Sequence, residues 1–144
     1  MSDILVIDDD PLFRTLIEAA LKDRHGVETA ADGHEGYQAA LARPPRLIVL
    51  DLLMPTWDGV QTLRALRADE TLKGVPVVLL TGAVDEPEVD QAREFGLAGL
   101  LLKTEFTAER LVGAVDAALA AGPQDDADIY GSGQIPVAKQ RFDG

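Results

Sequence analysis

Residues 5–11 read "LVIDDDP", an apolar, β-branched run that closes on three successive carboxylates and a proline. A continuously apolar run of this length suits a strand buried on both faces, so its charged end marks where a covered sheet meets water. Two ionised carboxylates about 4 Å apart in a partly buried site repel by on the order of 4 kcal/mol at an effective dielectric near 20. Either one of them holds a proton or a cation sits beside them.

The same pattern recurs along the chain. Short runs "ILVID", "VETAA", "RLIVLD", "VPVVLLT" and "GLLLK" alternate with longer amphipathic segments, and only the second run is not continuously apolar. Helical spacing covers Pro11 to Lys22, with Phe13, Leu16, Ile17 and Ala20 on one side, then Gly33 to Leu41, Gly59 to Ala68, Pro87 to Phe95 and Ala108 to Ala121. Asp10, Asp32 with Glu35, Asp58, Asp85 with Glu88, and Thr107 each offer an N-cap oxygen at a helix start. Five βα units in succession predict an α/β fold: a doubly wound, five-stranded parallel sheet with helices on both faces. From Gly122 the sequence is rich in Gly, Pro and Asp without period, so residues 1–121 are expected to form one domain and residues 122–144 a tail or linker.

Composition narrows the setting. Lys and Arg total 13 against 25 Asp and Glu, a formal charge of −12, which argues against direct nucleic-acid binding through phosphate neutralisation. There is no cysteine, hence no disulfide framework and no thiolate chemistry. "MSDILV" lacks the basic start and apolar core of a secretory signal, and no apolar stretch approaches the roughly 18 residues of a membrane span. No membrane insertion and a cytoplasmic location are expected.

In an open parallel sheet, ligands bind outside the carboxyl ends of the strands. There the first strand presents Asp8 and Asp9, the third Asp51, the fourth Thr81 and the fifth Lys103. Three carboxylates, a hydroxyl and an ammonium thus converge on one edge. An oxygen-rich site of this kind suits a hard divalent cation such as Mg²⁺, which takes one or two carboxylates and keeps several waters. Lys103 supplies a second positive charge.

On the acidic pair Asp8 and Asp9, "DLLMPTWDG" from Asp51 to Gly59, Thr81-Gly82 and Lys103, all in this order, the chain resembles the receiver domain of two-component response regulators from residue 3 to about residue 121. The resemblance implies the flavodoxin-like strand order 2-1-3-4-5. It implies that Asp51 accepts a phosphoryl group from a phosphohistidine of a histidine kinase or histidine phosphotransfer protein. It further implies that Asp9, Asp51 and the backbone carbonyl of Leu53 hold Mg²⁺, with Asp8 helping through water, while Thr81 and Lys103 contact the phosphoryl oxygens. Leu12 falls on the side of the first helix that faces the partner, and the downstream protein target is not specified. The resemblance also implies that the residues two beyond the acceptor and the threonine, here Leu53 and Ala83, flank the approach of a hydrolytic water; neither side chain can orient one, so a long-lived phosphorylated state is expected.

The chain departs from the family pattern in two places. Thr104 follows Lys103 where the family commonly has a proline in a cis peptide, so a trans bond is expected. Leu100 stands where an aromatic switch residue is common.

Simpler roles suit the remaining candidates. Asp10 and Asp58 serve as caps, His25 and His34 as solvated loop residues, and Trp57 either lines the rim of the site or packs on the surface. A haloacid-dehalogenase-type phosphatase would need a second Asp where Leu53 stands, and a dinucleotide-binding module would need a glycine-rich turn where "DDDPLF" stands. A receiver-like scaffold working without phosphorylation is the alternative, but it would be expected to lose Asp51, Lys103 or the acidic pair. The expected function is therefore a phosphorylation-controlled switch, not an enzyme with a substrate of its own: it catalyses only its own phosphorylation and dephosphorylation.

Overall fold

Each of the five runs forms a strand in the computed structural model, which describes residues 3–82 and 85–123. The strands are β1 (Ile4–Ile7), β2 (Val27–Ala30), β3 (Leu47–Asp51), β4 (Val77–Thr81) and β5 (Gly99–Leu102). The helices α1 (Pro11–Leu21), α2 (Gly33–Ala42), α3 (Gly59–Ala68), α4 (Pro87–Glu94) and α5 (Ala108–Ala121) alternate with them. All pairings are parallel and the order is β2-β1-β3-β4-β5, as expected.

Two-residue alternation along the strands divides the core between the two faces. Leu5, Ile7, Ile48, Leu50, Val77 and Leu79 pack with Leu63, Leu66 and Val89 from α3 and α4. Ile4, Val6, Val49, Val78 and Leu80 pack with Ile17 and Leu21 of α1 and Leu111 and Val115 of α5. Full burial of a Leu, Ile or Val side chain stabilises by about 1.5–3 kcal/mol, so these two layers dominate what holds the sheet in place. The weak second run is explained by its position: β2 is an edge strand, three of whose four residues are only half-buried.

The structure corrects three details and adds one contact. Leu16 is not on the buried stripe of α1: Phe13, Ile17 and Leu21 share that face at four-residue spacing, whereas Leu16 lies with Leu12 on an exposed neighbouring one. Asp85 is not the cap of α4; Pro87 occupies the first helical position, which makes Glu86 the N-cap, without a side-chain bond. His25 is half-buried rather than solvated, with its Nε2 buried. His34 is exposed but packs edge-on against Trp57 at 5.3 Å, and Trp57 also meets Tyr37 at 5.9 Å, which is the surface-packing alternative for the tryptophan. The other caps hold: Asp10, Asp32, Asp58 and Thr107 each accept from the backbone of their helix's first turn. Every described peptide, Lys103-Thr104 included, is trans. The 122–144 tail lies outside the described residues except for Gly122 and Pro123.

Candidate functional site

Sheet register carries the polar residues to one edge. Ile7 pairs with Leu50, so Asp8 and Asp51 stand side by side where β1 and β3 end, at the point where the strand order reverses. Asp51 pairs with Leu80, and Thr81 with Leu102, so Thr81 and Lys103 follow at the ends of β4 and β5. The loop after β3 returns tightly: the Gly59 N–H donates to the Leu52 carbonyl at 2.6 Å, and a Cβ at Gly59 would stand 2.7 Å from the Leu52 Cα. Only glycine fits there. Within that loop Thr56 adopts φ +44°, an uncommon conformation for a β-branched residue.

Asp8, Asp9 and Asp51 each present an oxygen within 4.8 Å of the others. Asp8 and Asp51 are buried and Asp9 is exposed. The Lys103 ammonium lies 3.1 Å from Asp8 Oδ2 and 3.2 Å from Asp51 Oδ1. The Asp10 N–H donates to Asp8 Oδ1 at 2.9 Å, and an Arg14 Nη donates to the Asp8 carbonyl at 2.7 Å. Asp8 Oδ2 makes no hydrogen bond and meets Lys103 only as an ion pair. Thr81 is buried beside this group, while the Leu53 side chain is 49% exposed.

The charges do not balance. Burial, reinforced by the Asp8 charge, pushes the Asp51 carboxyl up to about 7, and Lys103 offsets this only in part. Burial by itself would lower Lys103, but the carboxylates of Asp51 and Asp8 outweigh it and hold the ammonium above its ordinary value. Three carboxyl groups share one ammonium, a hard divalent cation would neutralise the charge that Lys103 does not, and the all-oxygen donor set fits Mg²⁺.

The structure therefore brings together Asp8, Asp9, Asp51 and Lys103, with Thr81 and Leu53 on adjoining strand and loop ends, while Ala83 lies outside the described residues. It adds two residues that sequence patterning did not connect with the site. The Lys103 ammonium sits 4.5 Å above the ring centre of Phe13, and Phe106 meets that ring edge-on at 5.5 Å. Phe13 reads as an ordinary core residue by helical spacing; its first-turn position after the acidic pair is the one available signal.

A model of the response regulator receiver domain matches residues 4–116. The chain is 33% identical over 136 residues to the DNA-binding response regulator MtrA of Mycolicibacterium smegmatis, covering 93% of this chain and 58% of that protein. It is 35% identical over 112 residues to hybrid signal transduction histidine kinase D of Dictyostelium discoideum, covering 78% of this chain but 7% of that protein. The chain thus spans only part of these relatives. Among solved structures, the chemotaxis protein CheY4 of Vibrio cholerae superposes with a TM-score of 0.76 at 28% identity, over 82% of this chain and 98% of that one. The receiver domain of the sensor histidine kinase PA1611 of Pseudomonas aeruginosa, which has a magnesium ion in its active-site cleft, superposes with a TM-score of 0.74 at 27% identity, over 83% and 98% of the two chains. The chain belongs to the response-regulator receiver family of two-component signalling.

Proposed function

We propose that Asp51 is the phosphoryl acceptor of this switch and that Asp9, Asp51 and the Leu53 carbonyl hold Mg²⁺, with Asp8 acting through water. The observation that carries the reading is the convergence of oxygens from Asp8, Asp9 and Asp51 within 4.8 Å of one another, with the Lys103 ammonium within 3.2 Å of two of the three residues. One Asp51 oxygen attacks the phosphorus of a phosphohistidine in line with its P–N bond; the P–O bond forms as the P–N bond breaks, and the imidazole nitrogen leaves with the electron pair. Bound Mg²⁺ supplies charge neutralisation for the carboxylates and the incoming phosphoryl oxygens. Lys103, anchored between Asp8 and Asp51, adds a fixed positive charge against the developing oxyanion, and Thr81 offers a hydroxyl donor.

The phosphoryl donor is a histidine kinase or histidine phosphotransfer protein met in the cytoplasm. Leu12, 62% exposed on the first turn of α1, gives that donor an apolar contact beside the site. Residues 1–121 act as the receiver and residues 122–144 as a tail that takes no part in the transfer. In the presence of Mg²⁺ and a phosphohistidine donor, the wild-type chain takes up an acid-stable, base-labile phosphoryl group, and Asp51→Asn takes up none while keeping its circular dichroism spectrum. Equal incorporation by both chains contradicts the proposal.

A further inference from the structure

We propose that Phe13 is a positioning residue for Lys103: the face of its ring holds the ammonium in line with Asp51. The inference rests on the assignment of Asp51 as acceptor.

A lysine ammonium is a point charge on a flexible four-carbon stem, and nothing in its own geometry fixes where it stands. Lys103 opens a three-residue 3-10 turn, Lys103–Glu105, that has no side-chain cap. Three contacts on the carboxylate side draw the ammonium toward Asp8 Oδ2 at 3.1 Å, Asp8 Oδ1 at 3.4 Å and Asp51 Oδ1 at 3.2 Å. Those oxygens are the ones that change partners when a cation or a phosphoryl group arrives. The ring of Phe13, 4.5 Å from Nζ, offers no oxygen for which a cation or a phosphoryl group could compete, and its negative face attracts a cation in a partly dry site.

The ring is itself fixed. Phe106 stands edge-on to it, 5.5 Å between centres and 79° between planes, the arrangement that matches a positive edge to a negative face. The Phe106 N–H donates to the Lys103 carbonyl at 3.3 Å and closes the 3-10 turn. Lys103 therefore starts a circuit that runs through its ammonium to Phe13, across to Phe106, and back to its own carbonyl. Both rings also pack on the core layer between the sheet and α1 and α5, which anchors the circuit to the domain.

A purely structural Phe13 would need only an apolar side chain of similar size, whereas a positioning one needs an aromatic face. The experiment compares Phe13→Leu and Phe13→Tyr in the full 144-residue chain. Lysines labelled with ¹³C at Cε report the contact by NMR without any phosphorylation. The Lys103 methylene protons are shifted upfield by the ring in wild type and in Phe13→Tyr, and lose that shift in Phe13→Leu. With a small phosphoramidate donor and saturating Mg²⁺, Phe13→Leu is phosphorylated about threefold to thirtyfold more slowly, the span of one partly desolvated cation–ring contact. Phe13→Tyr recovers the rate to within about twofold of wild type, and Mg²⁺ affinity is unchanged in both. In a Lys103→Met background, Phe13→Leu adds nothing further. A Leu variant as fast as wild type, a Tyr variant as slow as Leu, or an unshifted Lys103 resonance in wild type overturns the inference. Failure of the acceptor assignment shows separately, as a wild-type chain that takes no phosphoryl group at all; that result removes the positioning role with it, whatever the resonance does.

Discussion

Two regions of this domain bury charge, and they do so to opposite ends. At the junction of α3, α4 and the start of β4, Arg67 donates from Nε to the Phe95 carbonyl at 2.8 Å, from Nη1 to the Lys73 and Val75 carbonyls at 2.9 Å each, and from Nη2 to the Gly96 carbonyl at 3.0 Å. Burial lowers this guanidinium to about 10, so it stays a cation at neutral pH. One rigid fork of donors thereby satisfies four main-chain acceptors from two separate stretches of chain, 73–75 and 95–96. At the carboxyl ends of the strands, three carboxyl groups share one ammonium, which reaches both Asp8 oxygens and one of Asp51. A half-buried charge with this many main-chain bonds holds the fold together. A buried carboxyl group that burial and a neighbouring carboxylate push upward opposes folding.

The largest effect should come from the Arg67 region. Arg67→Ala leaves four carbonyls to find other partners and should cost about 3–5 kcal/mol in denaturant unfolding, several unsatisfied acceptors at once. A loss under about 1 kcal/mol would mean that the fork holds little, and the contrast between the regions would disappear.

The strand-end region should respond in chemistry instead. Leu53 presents an exposed apolar side chain two residues beyond Asp51, with no group that can orient a water for attack on an acylphosphate. Leu53→Asn should speed dephosphorylation about five- to a hundredfold, the worth of roughly 1–3 kcal/mol for one polar group that positions the nucleophile. Mg²⁺ binding should not change, since only the carbonyl at this position is proposed to touch the metal. Following loss of the phosphoryl group after donor removal checks it; a mutant that decays no faster than wild type places control of lifetime elsewhere. On the metal side, Asp9→Ala should weaken Mg²⁺ binding at least about tenfold by removing a carboxylate ligand. Titration by calorimetry measures this, and an unchanged affinity would move the metal to other residues.

The fold and the strand-end residues were legible in the sequence for one reason: a parallel sheet with both faces covered writes its strands as apolar runs, and the residue that ends each run is delivered to a known edge. Asp8, Asp51, Thr81 and Lys103 follow from that rule without any knowledge of side-chain packing. The edge strand β2 was the faint one because its half-buried residues tolerate Glu28 and Thr29. What stayed hidden depends on contacts between elements far apart in sequence. Arg67 looks like a surface arginine near the end of α3 until the chain after α4 folds over it. Phe13 and Phe106 look like separate core residues until the turn after Lys103 aims one ring at the other. Leu16 was misplaced because helical spacing alone cannot tell which of two adjacent apolar stripes faces the sheet.

The central claim is that Asp51 is held at a cost to the fold so that it can serve a ligand. Its carboxyl is pushed from an ordinary 3.8 up to about 7, so between those values the folded chain binds more protons than the unfolded one. Without metal, the contribution of Asp51 to wild-type stability therefore falls as pH rises from about 4 through about 7, and Asp51→Asn should remove that decline. The direct test is denaturant unfolding of wild type and Asp51→Asn at pH 8, each in chelator and in saturating Mg²⁺. In chelator the Asn variant should be the more stable of the two; Mg²⁺ should stabilise wild type and leave the variant nearly unchanged. An Asn variant that is less stable than wild type in chelator, as Arg67→Ala is expected to be, would show that the carboxylate holds the structure together and would contradict the account.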